Sequence, residues 1–233
     1  MKNLQRISGV AALYAAVTYV LGLIYFGFVL DYANVSEPLE KVALLVDHET
    51  SLYIMTLLLY VVFGAALILL TLALADRFKV AAPVVIRTAS AFGFVWAGLL
   101  IASGMVHNVG LRAVVDRYDN NPDQAATAWL AIESVGNGLG GEFEIVGGVW
   151  MILMSWAALQ ANALPRLAIY LGVIAGVAGL ITLVPALTDV AVGVFALGQI
   201  VWFTWLATVM LRESMEDRDV VTDPSAPLPR STI

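Results

Sequence analysis

No cysteine occurs anywhere in the 233 residues. That absence removes disulfides, thiolate zinc sites, covalently attached c-type haem and every thiol-based reaction. Charge is scarce too: 13% of residues are Asp, Glu, Lys or Arg, against about a quarter in a soluble domain. The lysines are Lys2, Lys41 and Lys79, all outside the long apolar runs, which excludes a Schiff-base chromophore of the rhodopsin kind. The histidines are His48 and His107, so a bis-histidine haem would leave none in reserve. The glycines follow neither the GxGxxG nor the Walker spacing, and no phosphate-cradling loop is encoded. A net charge of −6 argues against nucleic acid as a partner.

What the chain has in abundance is apolar sequence. Hydrophobic residues make up 61% of it and the mean hydropathy is +0.87, which marks an integral membrane protein. A helix crosses a bilayer core with about 20 mostly apolar residues. Six such runs are present, near 7–30, 52–75, 86–107, 142–160, 167–187 and 190–211. The expected fold is an all-α bundle of about six transmembrane helices over residues 1–212, with the lipid bilayer as its surroundings. Lys2 and Arg6 precede the first run as in a signal peptide, but that run is long and lacks a small-residue cleavage site, so it reads as a retained anchor. Thr188 and Asp189 alone separate the last two runs, which predicts a tight helical hairpin. Residues 213–233 are charged and proline-bearing and are expected to form a disordered tail.

Orientation follows from basic residues. Six spans place Lys2, Arg6, Arg77, Lys79, Arg87, Arg166, Arg212, Arg218 and Arg230 on one side, and Lys41, Arg112 and Arg117 on the other. Nine against three predicts that both termini and the tail are cytoplasmic. The outer loops are acidic, which draws cations to that face. Short amphipathic helices are expected in them. One is capped by Ser36; the other is capped by Asn121, has Pro122 at its first position and ends at Gly136-Asn137-Gly138.

The chemistry-bearing residues gather at the outer ends. In "NGLGGEFEIVGGVW" (137–150), Glu142 and Glu144 stand among glycines at the mouth of the fourth run. If the helix from Pro122 stops at Gly136, the span starts at about Glu142 and both carboxylates sit at the positive end of a helix dipole. If the helix runs unbroken from Asp123 to Gln160, Glu133, Asn137 and Glu144 share one face, because eleven residues make about three turns. Either way the two carboxylates diverge, with Glu144 toward the interior and Glu142 toward the interface. Glu144, Glu142, Asn137, Glu133 and Asn108 are therefore the candidate ligand-binding residues. His48, His107 and Glu49 form a candidate divalent-metal set, since two histidines and a carboxylate hold a catalytic zinc with an open position. "HETSL" has Leu52 where a zincin motif needs its second histidine. Gly172 and Gly176 make a GxxxG suited to helix packing.

"GGVWMILMSWAALQANALPRLAIYLGVIAGVAGLITLVPAL" (147–187) followed by "FALGQIVWFTWLATVMLR" (195–212) resembles a group of bacterial six-span membrane proteins known only as a domain of unknown function. The cues are GG-x-W, SWAAL, the LPR turn and GQIVWF. The resemblance implies a six-span bundle in the bacterial inner (cytoplasmic) membrane and carries no activity with it. The residues suggest binding or transport of a small solute or cation through an outward-facing polar pocket. Two other functions are compatible with them: an accessory subunit whose glycine-bearing faces pack on a second copy or another membrane protein, and a membrane-embedded metal-dependent hydrolase.

Overall fold

The structure is a computed structural model, and it describes residues 2–141 and 144–222. It is helical throughout, with no strand among the described residues. In chain order the helices are α1 (Lys2–Ile24), α2 (Pro38–Asp47), α3 (Glu49–Thr56), α4 (Phe63–Phe78), α5 (Pro83–Tyr118), α6 (Pro122–Gly136), α7 (Ile145–Gln160), α8 (Arg166–Ile181) and α9 (Thr188–Thr222). A π-helical turn, Tyr25–Val29, extends α1, and another, Leu57–Val62, welds α3 to α4.

Among the described residues, five stretches are long and apolar enough to cross a membrane: Arg6–Val29, Glu49–Phe78, Pro83–Tyr118, Pro122–Gln160 and Thr188–Arg212. The protein is thus a multi-pass helical membrane protein. Apolar α8 has 16 residues, about 24 Å of helix against a hydrocarbon core of about 30 Å. The sequence predicts apolar helix to Leu187, but Pro185 keeps the residue before it out of the helical region. The helix closes at Ile181 instead. The two-residue link between the last two helices is consequently replaced by a longer turn, and α8 and α9 still pack on each other. Residues 182–187 form a turn in which the Thr188 hydroxyl donates to Thr182 O (3.0 Å) and Val184 O (3.2 Å).

Six helices close a ring, each packed on the next: α1 on α4, α4 on α5, α5 on α7, α7 on α8, α8 on α9, and α9 back on α1. Glycine sets the tightest of these contacts. A Cβ on Gly148 would lie 2.6 Å from Gly176 O, and one on Gly179 would lie 2.8 Å from Glu144 O, so α7 and α8 touch through backbone. The expected packing role of the Gly172/Gly176 pair is met there. Inside the ring, Trp96, Trp150, Trp202 and Phe203 interlock with centroids 5.5–6.2 Å apart and fill the middle.

A second apolar cluster caps one end. Leu30, Val42, Leu45, Leu52, Leu111, Val114 and Trp129 bring α2, α3 and α6 against the projecting part of α5. Helix α5 is 36 residues long, about 54 Å, so it overshoots a bilayer core by several turns. The sequence reading stopped that span at His107, because polar residues follow; their apolar partners come from α2 and α6. Helix α2 starts at Pro38 with Glu37 before it, not at Ser36. Asn121 does cap α6, accepting from Gln124 N at 3.0 Å.

Candidate functional site: a cavity between the two cores

Between the aromatic core and the cap lies a cavity of about 630 Å³, within the range of small-molecule sites. Its floor includes Phe63, Leu100 and Phe195 of the inner core, and its roof Leu45, Leu52, Leu111 and Trp129 of the cap. The helices part here for a local reason. The two π-helical turns and the kinked stretch Asn137–Gly141 all contribute lining residues: Phe26 and Gly27, Leu59 and Tyr60, Asn137 and Gly140. Turns of this kind widen a helix and recur at functional sites.

The break before α7 decides where Glu144 points. Gly140 has φ +138°, a conformation L side chains rarely adopt, and the chain leaves helical geometry there. Neither sequence alternative is met: the helix continues past Gly136 and the next begins at Ile145, with Glu144 as its N-cap residue. The Glu144 side chain makes no capping hydrogen bond. Its backbone is pinned instead, the amide donating to Thr182 Oγ1 (3.2 Å) and the carbonyl accepting from Gly148 N (2.7 Å). With its main chain fixed on both sides, Glu144 takes its place on the cavity wall. Its Oε2 is sealed from solvent and has no hydrogen-bond partner. The Trp96 indole N–H is buried without a partner as well. A buried polar group in that state is costly, more so if charged.

Glu133 is treated differently. It accepts from Tyr32 Oη (2.8 Å) and faces Lys41 Nζ (3.5 Å). Tyr32 Oη in turn accepts from Trp129 Nε1 (2.8 Å), and Lys41 sits 4.8 Å over the Tyr32 ring. Burial pushes the Tyr32 phenol above the usual tyrosine value, so it stays a neutral donor. This network ties the 32–34 turn, α2 and α6 together at the rim.

His107 lines the cavity between Tyr60 and Trp129, with centroids 5.8 and 6.0 Å away. Its Nδ1 lies 3.0 Å from Ser103 O, which assigns the proton to Nδ1 and leaves Nε2 an acceptor. The ring lies flat on Gly136, where a Cβ would fall 2.5 Å from Nε2. Ser103 Oγ donates to Gly136 O (2.9 Å) and holds α6 to α5.

Four residues singled out from the sequence therefore share this wall: Glu133, Asn137, Glu144 and His107. Others lie elsewhere. Asn108 is buried against the neighbouring helix, its Nδ2 donating to Tyr53 O (3.3 Å), and does not line the cavity. His48 ends α2 with Nδ1 3.1 Å from Leu44 O, and Glu49 is exposed in the first turn of α3. The two histidines do not share the cavity wall, and no group of three His, Asp or Glu able to hold a metal occurs among the described residues. Glu142 lies outside the described residues. Sequence reasoning passed over Tyr19, Tyr32, Tyr60 and Trp129. A signal was present: Thr56 with Tyr60, and Ser103 with His107, are polar pairs four residues apart near the same end of successive apolar runs.

The family pattern described as Domain of unknown function (DUF4386) matches residues 7–209. No curated protein and no solved structure matches the chain.

Proposed function

We propose that the chain, which belongs to this family of unknown function, binds a small cationic solute in the cavity, for sensing or transport. In this reading α8 completes six crossings, the termini are cytoplasmic and the cavity opens outward in the inner membrane. The nine-to-three distribution of basic residues supports that orientation. Acidic outer loops raise the local cation concentration.

One observation carries the reading: the buried, unpartnered Oε2 of Glu144 on the wall of a largely apolar cavity. Proteins leave such a group unmet mainly where a ligand, ion or water meets it. Intramembrane carboxylates commonly mark substrate or ion pathways. A cation with an apolar body satisfies the carboxyl, and Tyr60 and Trp129 offer it aromatic faces.

The test is a shape-matched panel of amines and neutral alcohols, read as thermal stabilisation of purified protein in detergent. Amines should stabilise the parent and alcohols should not. Equal stabilisation by both would remove Glu144 as the recognition element. No stabilisation by any of them would favour the accessory-subunit reading.

A further inference from the structure

The cavity has a side as well as a roof. Helices α1 and α9 run antiparallel and meet closely at the end where α1 begins: a Cβ on Gly9 would lie 2.8 Å from Leu211 Cγ. Farther along, the Tyr19 and Phe203 rings stack with centroids 6.4 Å apart. That register carries Gly27 opposite the Val192–Phe195 stretch of α9. The helices do not close there. Val192, Phe195 and Ala196 line the cavity from one side and Leu23, Phe26 and Gly27 from the other. Nothing lies within 4 Å of the Cβ position of either Gly27 or Gly193. Leu23 and Gly27 are exposed and also line the cavity, and the adjacent Phe28 is 85% exposed. The surface around this gap is apolar, with Leu23, Ile24, Phe28, Val29, Val190 and Val194 exposed.

We infer that the cavity is reached sideways from the membrane, through the gap between Gly27 and the 192–196 stretch, and that its ligand is a single-chain primary amine partitioned into the bilayer. This rests on the cation reading of Glu144 and extends it to substrate class and route. Two features select the ligand. The apolar walls and lipid-facing gap accept a hydrocarbon chain, which thereby stays out of water throughout. The carboxyl calls for a cation, and the missing hydrogen bond at Glu144 Oε2 calls for a donor; a primary ammonium supplies both, whereas a quaternary ammonium has no N–H. The ammonium sits against Glu144, and the chain leaves past Phe26 and Ala196.

The absence of native cysteine makes the gap addressable. Gly27→Cys is labelled with a benzyl methanethiosulfonate and reconstituted in neutral phosphatidylcholine vesicles. Binding of ω-bromododecylammonium is followed as quenching of cavity tryptophan fluorescence. The label should slow association by about tenfold or more, and a reductant that removes it should restore the rate. Labelled Val84→Cys, exposed at the opposite end of the bundle, should behave as the parent, and Glu144→Gln should abolish specific quenching. Gly193→Cys repeats the test from α9 if Gly27→Cys does not fold. Parental association in the labelled protein, with Glu144→Gln still silent, overturns the lateral route and leaves the cation reading standing. Parental quenching in Glu144→Gln overturns that reading itself. Equal binding of the N-trimethyl analogue or of ω-bromobutylammonium overturns the assignment to a long-chain primary amine.

Discussion

The two halves of the bundle are built from the same residue types and put them to opposite uses. In the half nearer the start of α1, tryptophans fill space: Trp96, Trp150 and Trp202 are at most 2% exposed and stack on one another. Glycines there admit close neighbours: a Cβ on Gly9 would lie 2.8 Å from Leu211 Cγ, and one on Gly93 would lie 2.6 Å from Thr71 Oγ1. In the other half Trp129 lends its N–H to Tyr32 and one face to a cavity, and Gly27, Gly138 and Gly193 have no neighbour where a Cβ would go. Lipid is as apolar as a core, so transmembrane helices gain from packing and hydrogen bonds rather than from hiding apolar surface. The filled half supplies packing, and a rigid floor lets the other half stay hollow.

The sharpest way to break that contrast is to remove an indole. Trp150→Ala leaves a hole between Trp96, Trp202 and Phe203, and a core Trp→Ala costs about 3–5 kcal/mol. Denaturant unfolding in detergent should show that loss, together with loosening of the cavity floor. The same substitution at Trp156, 51% exposed on the outer surface, should cost under about 1 kcal/mol.

Next in size is the glycine pair. At Gly148 a methyl group would meet Gly176 O at 2.6 Å and Leu180 N at 3.1 Å, both backbone atoms that move only if a helix moves. Gly148→Ala should cost about 1–3 kcal/mol by overpacking. Gly138→Ala, with open space around it, should fall within about 0.5 kcal/mol of the parent. Equal effects at the two positions would mean that α7 and α8 do not meet through backbone.

How much of this was readable beforehand follows from which forces act locally. Apolar runs announce membrane helices because a bilayer allows few alternatives, and the Asn121–Pro122 cap is a local signal that held. The end of α8 was also written in the chain, at Pro185, but was masked by the apolar residues around it. The convergence of Tyr60, His107, Glu133 and Glu144 was not legible, since it depends on which helices neighbour each other. Asn108 and His107 adjoin in sequence yet face different partners, Tyr53 O and the cavity. Only an unbroken helix would have put Asn137 and Glu144 on one face by sequence, and they share a wall even though Gly140 breaks the helix.

A smaller effect belongs to the rim. Tyr32→Phe removes the hydroxyl that joins Trp129 Nε1 to Glu133 and should cost about 1–3 kcal/mol by leaving both unmet. It should also change the alkaline limb of stability. Burial raises the folded phenol's pKa, so its contribution is fully present below the ordinary tyrosine value of about 10 and fades as pH climbs through the higher folded value. Lys41 and Glu133 face the same ring, so the difference between parent and Tyr32→Phe across that window isolates the phenol. Parallel pH profiles would place the phenol in water.

The least expected loss of stability is at Glu144, and it separates the two carboxylates most cleanly. Glu133 has Tyr32 and Lys41, so Glu133→Gln gives up an ion pair and weakens a buried hydrogen bond, and should destabilise by about 1 kcal/mol. Glu144 Oε2 has no partner to lose. The amide is nearly isosteric, keeps the backbone bonds to Thr182 and Gly148 untouched, and removes a group whose burial is costly without a partner. Glu144→Gln should therefore equal or exceed the parent in unfolding free energy, while stabilisation by ω-bromododecylammonium disappears. Glu133→Gln should retain that stabilisation, because its network braces the rim without needing to meet the ammonium. If Glu144→Gln unfolds more readily than Glu133→Gln in the absence of ligand, the carboxyl holds the fold rather than a solute. The hollow half of the bundle would then need another explanation.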